Sequence, residues 1–545
     1  MRIAMAQMNS YLGDFEGNRK KIMELIKAAQ ERRAELVLFP EASLFGYHPM
    51  DLLERSEVVE DQLKQLALLQ KQMPKKIVAI LGAITPNTYK TGKPYFNSAV
   101  MLSANKPMRV FPKQLLPAYD VFDEGRHIEP GREITKNIVS IKGKKVLVTV
   151  CEDIWAWDTL KKPHFSRYGK NPLVALKRGQ VDLILNLSAS PFTDKKKENR
   201  LKVTRATAAW FKAPLVYVNM VGAQDEIIFD GGSFAIDEKG KVLAQSVHFQ
   251  EDLNLVDLKD KSGGFRPQIK STIETQRQAI ALGLRDFAKK TGMTSFVIGS
   301  SGGIDSAVTT CLAVDAVGPQ NVTTVALPGP HSSPESLQLA QALAKNLGVR
   351  LLEMPIQNSY DTLLKVFDQS TAHKGFDLVN ENLQARIRGL LLMAVSNFQK
   401  SLLLATSNKA ELAMGYSTMY GDMNGAMMPI GDLLKTEVYE LARHYNQERE
   451  LIPEQIIQRA PSAELAPNQK DEDSLPPYAK LDPVVEKFVE GFSTPKGTLD
   501  RRVLKALFQS EFKRWQSPPV LKLSEHAFGM GRRLPIAHAA LKNKL

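Results

Sequence analysis

Phe296-Val297-Ile298-Gly299-Ser300-Ser301-Gly302-Gly303-Ile304-Asp305-Ser306 puts an apolar run, a serine- and glycine-rich turn and the start of an apolar-periodic segment in that order. The periodic segment, Ala307 to Val317, reads as a helix. Strand, glycine turn and helix together aim several backbone N–H groups and the positive end of a helix dipole at one point, which suits an oligophosphate. The turn lacks the lysine of a G-x-x-x-x-G-K-[ST] loop, so the usual kinase or GTPase reading does not apply.

Downstream of this turn the pattern repeats. A strand at Val322 to Leu327, a helix and a strand at Val349 to Met354 follow, and a helix precedes the turn from about Thr272. A doubly wound parallel sheet is expected, with its ligand where the strands end at the glycine turn. Pro461 to Pro477, rich in Pro, Asp, Glu and Asn, reads as an exposed loop over that edge. Upstream, Lys259-Asp260-Lys261-Ser262-Gly263-Gly264-Phe265-Arg266-Pro267 is polar and carries glycine and proline, so 259–271 is expected to be a linker between a first domain, 1–258, and a second, 272–545. In the first domain Met1 to Gln7, Leu36 to Phe39, Ile77 to Leu81, Val146 to Val150 and Leu183 to Leu185 read as strands. Ile22, Met23, Leu25, Ile26 and Ala29 share a helix face, and Gly232 to Ile236 with Val242 to Ala244 form a hairpin. The fold class is α/β, with a mixed sandwich first and a doubly wound parallel sheet second.

A chain of 545 residues exceeds one hydrophobic core, and 43% hydrophobic residues suit a folded protein. No window of 18 uninterrupted apolar residues occurs, so no membrane span is expected, and the first residues lack a signal-peptide layout. With two cysteines, Cys151 and Cys311, no disulfide framework is available and a cytoplasmic location is expected. The net charge of +13 is spread along the chain, and its densest run, Lys195-Lys196-Lys197, is short. Nucleic acid is therefore not expected as the partner.

Three strand ends of the first domain carry chemistry: Phe39-Pro40-Glu41, Phe111-Pro112-Lys113 and Val150-Cys151-Glu152-Asp153. At pH 7 only about 3% of an ordinary thiol is thiolate, so a cysteine that attacks an amide needs help. Glu41 can take the thiol proton and later activate water. Lys113 can hold the thiolate and stabilise an oxyanion. Cys311, inside the helix after the glycine turn, reads as a buried packing residue. His127, His331 and His526 show no metal-ligand spacing.

These segments resemble the Glu-Lys-Cys site of the nitrilase, or carbon–nitrogen hydrolase, superfamily, over roughly Met1 to Val256. The resemblance implies an αββα sandwich with Cys151 as nucleophile, Glu41 as general base and Lys113 as stabiliser of the tetrahedral intermediate. It implies Glu124 as a supporting carboxylate, and Tyr119, Ser190 and Lys196, with Glu124, around a bound glutamine.

Ser301-Gly302-Gly303-Ile304-Asp305-Ser306 is similar to the pyrophosphate loop of enzymes that split ATP into AMP and pyrophosphate. By itself it also fits asparagine, GMP and argininosuccinate synthetases and tRNA-modifying enzymes. Glu381 to Arg388, Leu404 to Glu411, Tyr416 to Asp422, Pro461 to Leu465 and Phe528 to Pro535 narrow the choice. Together they resemble the glutamine-dependent NAD⁺ synthetases, across essentially the whole chain. That resemblance implies ATP on Gly299, Ser300, Ser301, Gly302, Gly303, Ile304, Asp305, Ser306 and Thr406. It implies deamido-NAD⁺ on Asn382, Arg386, Glu411 and Lys513, with Asp305 and Glu411 as Mg²⁺ ligands beside the phosphates. The implied partners are glutamine, ATP and deamido-NAD⁺, in a homo-oligomer without nucleic acid or membrane. Ammonia would travel from one centre to the other through a dry passage, because ammonium has no lone pair to attack with. One departure is visible: the family shows a serine and an aromatic at the Gly329 and His331 places. A different acceptor acid, and more remotely an RNA-directed enzyme, are the competing readings.

Overall fold

The computed structural model describes residues 1–157, 168–491 and 493–540. Two compact units divide the chain, Met1–Ile269 and Lys270–Leu545.

The first unit has a seven-stranded sheet in the order Ser262–Gly263, Asp252–Asp257, Arg2–Gln7, Leu36–Leu38, Val78–Pro86, Tyr95–Ser103, Arg109–Pro112. A six-stranded sheet runs Val242–Gln245, Phe234–Ile236, Leu215–Asn219, Leu183–Ser188, Lys144–Val150, Ile138–Ile141. Alternation along the strands builds the layers. Ile3, Met5, Leu36, Leu38 and Ile80 from one sheet share a core with Val146, Val148, Leu183, Leu185, Val216 and Val218 from the other. Their neighbours Ala4, Ala6, Val37, Ala79 and Leu81 point outward, against Ile22, Met23 and Ile26 of the helix Phe15–Glu31 and Leu66 and Leu69 of Ser56–Gln72. On the far side Leu147, Ile184, Leu215 and Tyr217 meet Val203, Ala208 and Phe211 of the helix Lys196–Phe211. Helix, sheet, sheet, helix is the αββα order expected.

The segment 259–271 is not a free linker along its whole length. Ser262–Gly263 pairs antiparallel with Val256 and Asp257. The Arg266 N–H then donates to the Gln245 carbonyl at 2.9 Å. Local composition cannot reveal an edge strand whose partner supplies the pairing.

Register brings the reactive positions of this unit to one edge. Val150 pairs with Leu187 and Ser188 with Asn219 in parallel, so Cys151, Ala189–Ser190 and Asn219 emerge together. Ser98 opposes Pro112, which sets Lys113 beside Asn97.

The second unit is built on four parallel strands ordered Arg350–Glu353, Val322–Ala326, Phe296–Gly299, Leu402–Leu404. Val297, Val325 and Leu403 share a core with Ile387 and Val395 of the helix Leu378–Gln399. By alternation Phe296 and Ile298 face the opposite side, where the helix Ile304–Val317 lies. Phe296–Gly299 lies between the strand that follows it in sequence and the last strand of the order. This reversal of the winding opens a crevice at its carboxyl end.

Candidate active sites

Lys113 is buried between two carboxylates. Its Nζ lies 2.7 Å from Glu41 Oε1 and 2.7 Å from Glu124 Oε1. Glu41 Oε1 also accepts from Asn97 Nδ2 at 2.7 Å, and its Oε2 from the Ala189 N–H at 2.9 Å. Glu124 accepts from the Tyr47 hydroxyl at 2.8 Å. Burial raises the Glu41 pKa, Lys113 opposes this and Glu124 adds to it, so this carboxylate is a readier proton acceptor than an exposed one. Burial also works against charge on Lys113, but Glu124 and Glu41 outweigh it and hold the ammonium protonated.

Cys151 follows the strand Lys144–Val150 at φ +39°, a left-handed conformation that costs a non-glycine residue about 1–3 kcal/mol. Its thiol is buried. Burial and then Glu41 push its pKa well up, with Lys113 opposing. The resting sulfur is therefore a thiol, and attack requires the proton to leave as the bond forms. Asp153 ties this turn to the lysine: its carboxylate accepts from the N–H groups of Val150 at 2.8 Å, Gln114 at 2.7 Å and Leu115 at 3.0 Å. Gly82 sets the third side. A methyl group there would lie 2.0 Å from the Ala42 nitrogen, so only glycine lets the strand Val78–Pro86 pass the turn that carries Glu41.

Tyr119 donates to Glu152 Oε1 at 3.1 Å, as does Tyr168 at 2.8 Å. Lys196 opens its helix with Nζ 4.5 Å from the centre of the Trp155 ring. Burial lowers its pKa and Glu152 acts in the opposite sense. Ser190 receives Arg200 Nε on its hydroxyl at 3.2 Å and Arg200 Nη2 on its carbonyl at 2.8 Å. Arg200 is itself paired with Asp230 at 2.7 Å. All the first-domain residues singled out in the sequence therefore lie on one edge of the sandwich. Asn97, Glu152, Asp153 and Arg200 complete the set, and of these only Glu152 and Asp153 have a signal in the sequence, their place beside the cysteine.

In the second unit a cavity of about 290 Å³ opens at the strand ends. Gly299, Ser300, Ser301, Gly303, Ile304, Asp305, Ser306, Thr406 and Glu411 line it. Gly302 holds the turn from behind: its φ is +75°, and a methyl there would lie 2.4 Å from the Ser336 carbonyl oxygen. The Ser300 hydroxyl is buried without a hydrogen-bond partner. Asp305 accepts from Asn408 Nδ2 at 3.0 Å and from Lys435. Lys435 also lies 3.5 Å from Glu411 Oε1. Burial, and then the Asp305 charge, raise the Glu411 pKa to about 8, with Lys435 opposing. Residues 460–465 and Asp471 form part of the wall, so Pro461 to Pro477 is in part a lining of the cavity rather than an exposed loop. Glu464 is held there by Arg459 and by the Ser336 hydroxyl at 2.8 Å.

Asn382, Arg386 and Lys513 do not line this cavity. They converge on the adjoining loop: Thr418 Oγ1 donates to Asn382 Oδ1 at 2.8 Å, and Arg386 Nε to the Met419 carbonyl at 3.3 Å. Lys513 Nζ donates to the carbonyls of Gly415 and Ser417, both at 2.8 Å. Burial lowers the Lys513 pKa, with Asp422 opposing. Lys435 and Arg388 face the cavity and were not singled out in the sequence. Lys435 is 130 residues from Asp305 and sits in no recognisable motif. Arg388 shares its helix with Arg386, and packing alone decides which of the two faces inward.

The first unit holds a buried thiol near a lysine and carboxylates, and the second a glycine turn on a cavity lined with carboxylates. Comparison with known proteins agrees. The carbon-nitrogen hydrolase family matches residues 2–266 and the NAD synthase family residues 276–517. The chain is 42% identical to a glutamine-dependent NAD(+) synthetase of Synechocystis sp., over 98% of each sequence. It is 37% identical to one of Thermotoga maritima, over 99% of this chain and 98% of that one. The solved structure of such a synthetase from Acinetobacter baumannii, in complex with ADP, is 31% identical, covers 98% of each chain and superposes with a TM-score of 0.76. With both family matches in order along the chain and kinship running from end to end, the chain belongs to the glutamine-dependent NAD⁺ synthetases.

Proposed function

We propose that the chain converts deamido-NAD⁺, ATP and glutamine into NAD⁺, AMP, pyrophosphate and glutamate. The observation that carries the reading is the presence, on one chain, of the Glu41–Lys113–Glu124 network beside Cys151 and of the glycine-turn cavity with Asp305, Lys435 and Glu411.

Glutamine brings an ammonium and a carboxylate on its α-carbon. Glu152, held by two tyrosine hydroxyls, suits the former, and Lys196 the latter. Ser190 completes this binding set. Cys151 Sγ then attacks the carboxamide carbon while Glu41 takes the thiol proton, and the Lys113 ammonium faces the oxyanion. The proton passes to the leaving nitrogen, ammonia departs, and a thioester remains. Water, deprotonated by Glu41, releases glutamate and restores the thiol.

In the second unit a carboxylate oxygen of the nicotinate ring attacks the α-phosphorus of ATP, and the bond to the β-phosphate bridging oxygen breaks. The N–H groups of the 299–306 turn meet the charge of the departing pyrophosphate. Ammonia from the first centre attacks the acyl-adenylate carbon, AMP leaves, and the amide of NAD⁺ forms. Thr406 supports the nucleotide, while Asn382, Arg386, Glu411 and Lys513 hold the dinucleotide.

The donor set suits Mg²⁺. Asp305 and Glu411 are hard oxygen ligands on the cavity wall, and burial, then the Asp305 charge, keeps a proton on Glu411 that a divalent cation would displace. When bound, the ion would neutralise phosphate charge. No helix among the described residues is long and apolar enough to cross a membrane. A cytoplasmic location and a homo-oligomeric state accompany this reading, to be checked by cell fractionation and light scattering.

The direct test supplies ATP, Mg²⁺ and deamido-NAD⁺ with glutamine or ammonium chloride. NAD⁺, AMP and pyrophosphate should appear in equal amounts with either donor. Pyrophosphate release without dinucleotide dependence would overturn the reading in favour of another acceptor acid.

A further inference from the structure

The cavity of the second unit takes a polyanion, on the reading above, yet its lining carries five carboxylates: Asp305, Glu411, Asp422, Glu464 and Asp471. Three cations face them: Arg388, Lys435 and Arg459. Two of the three are already neutralised, Lys435 by Asp305 and Glu411, and Arg459 by Glu464. Arg388 has no carboxylate in ion-pair contact among the described residues.

Its guanidinium is held in place by neutral acceptors only. Nε donates to the Leu327 carbonyl at 3.0 Å, at the end of the strand Val322–Ala326, and Nη2 lies 3.4 Å from the Ser332 hydroxyl. A methyl group on Gly329 would lie 2.7 Å from Nη2, so the bare α-carbon at 329 is what makes room for the guanidinium. Burial lowers the Arg388 pKa to about 10, which leaves it charged at neutral pH. The phosphate turn is close. The Ser300 N–H donates to the Val325 carbonyl at 2.8 Å, two residues before the carbonyl that orients Arg388, and two residues of strand span about 6.6 Å.

We propose that Arg388 binds the phosphate chain of ATP directly, and that the absence of a side chain at Gly329 leaves its guanidinium undisplaced for that contact. Lys435 serves mainly to hold Asp305 and Glu411. Arg388 is the cation whose charge is left for the nucleotide. A planar, permanently charged fork suits two phosphate oxygens better than an ammonium does.

This inference rests on the cavity being the ATP site, and the test separates the two. Initial rates of pyrophosphate release are measured with ammonium chloride as nitrogen donor, varying ATP-Mg²⁺ and deamido-NAD⁺ in turn. Arg388→Gln should raise the KM for ATP about tenfold to a hundredfold, the worth of a charge-assisted hydrogen bond, with the KM for the dinucleotide within about twofold. Arg388→Lys should fall between. Gly329→Ala should raise the KM for ATP in the same direction while keeping the charge, because the added methyl displaces the guanidinium. Thermal unfolding identifies variants that fail to fold; should Arg388→Gln be one, Arg388→Lys and Gly329→Ala carry the test. An unchanged KM for ATP in the folded variants, or a rise confined to the dinucleotide, overturns the role of Arg388. A wild-type protein that releases no pyrophosphate overturns the ATP reading itself.

Discussion

Lys113 and Lys435 are both ammonium groups buried between two carboxylates, and the two arrangements differ in where the carboxylates look. Glu41 and Glu124 contact Lys113 at equal distances, and all three side chains are shut away from solvent. Asp305 and Glu411 keep 19% and 15% of their side chains open, on the wall of a cavity. The first set closes on itself: the Lys113 ammonium is met on either side by a carboxylate, with no opening to solvent. The second opens on a cavity whose lining carries more carboxylates than cations, and Glu411 holds a proton there. A buried ion network preorganises chemistry in one unit, and in the other it makes binding depend on a counter-ion.

The largest expected effect separates the two centres outright. Cys151→Ala should lower glutamine hydrolysis about 10⁴-fold or more while synthesis from high ammonium continues. Assaying both nitrogen donors checks this, and joint loss in a folded variant would break the division of labour. Asp305→Ala should do the reverse, cutting ATP cleavage about 10²- to 10³-fold with glutamine hydrolysis retained, as read from pyrophosphate and glutamate release.

The raised pKa of Glu411 gives the second unit a pH signature of its own. Between 4.5, its ordinary value, and about 8, the folded carboxyl keeps a proton that the unfolded one sheds. Stability contributed by this group therefore falls as pH rises through that window. A divalent cation must displace the same proton, so kcat/KM for ATP-Mg²⁺ should rise with pH by up to about tenfold per unit and level off above about 8. In Glu411→Gln the profile should be flat and the affinity low throughout. A rising limb that survives this substitution would assign the proton elsewhere. The smallest effect belongs to the glutamine pocket: Ser190→Ala should raise the KM for glutamine about three- to tenfold, the worth of a neutral hydrogen bond, with ammonium-driven synthesis unaltered.

Much of this contrast is legible in the chain. Glu41, Lys113 and Cys151 stand just after apolar runs, and Asp305 closes a serine–glycine turn, because strand ends and helix starts announce themselves through local pattern. Residues 259–271 mislead because polar composition suits an edge strand as well as a linker. Pro461 to Pro477 misleads because a loop that covers a polar cavity has the composition of a loop that faces water. The resemblance implies Arg386 as a dinucleotide ligand, whereas the arginine that lines the cavity is its neighbour but one, Arg388.

The linear order of residues determined two α/β units, the strand ends that carry reactive groups, and a turn of backbone N–H groups fit for phosphates, since each depends on contacts within about ten residues along the chain. Tertiary structure alone decided that Lys435 closes the Asp305–Glu411 pair, that Asp153 joins the cysteine turn to Lys113, and that Arg388 reaches the cavity through the space left at Gly329. Those outcomes depend on the register of distant strands and on the rotation of packed helices. Both are set by burying apolar faces, and the polar side chains are carried to their partners as a consequence.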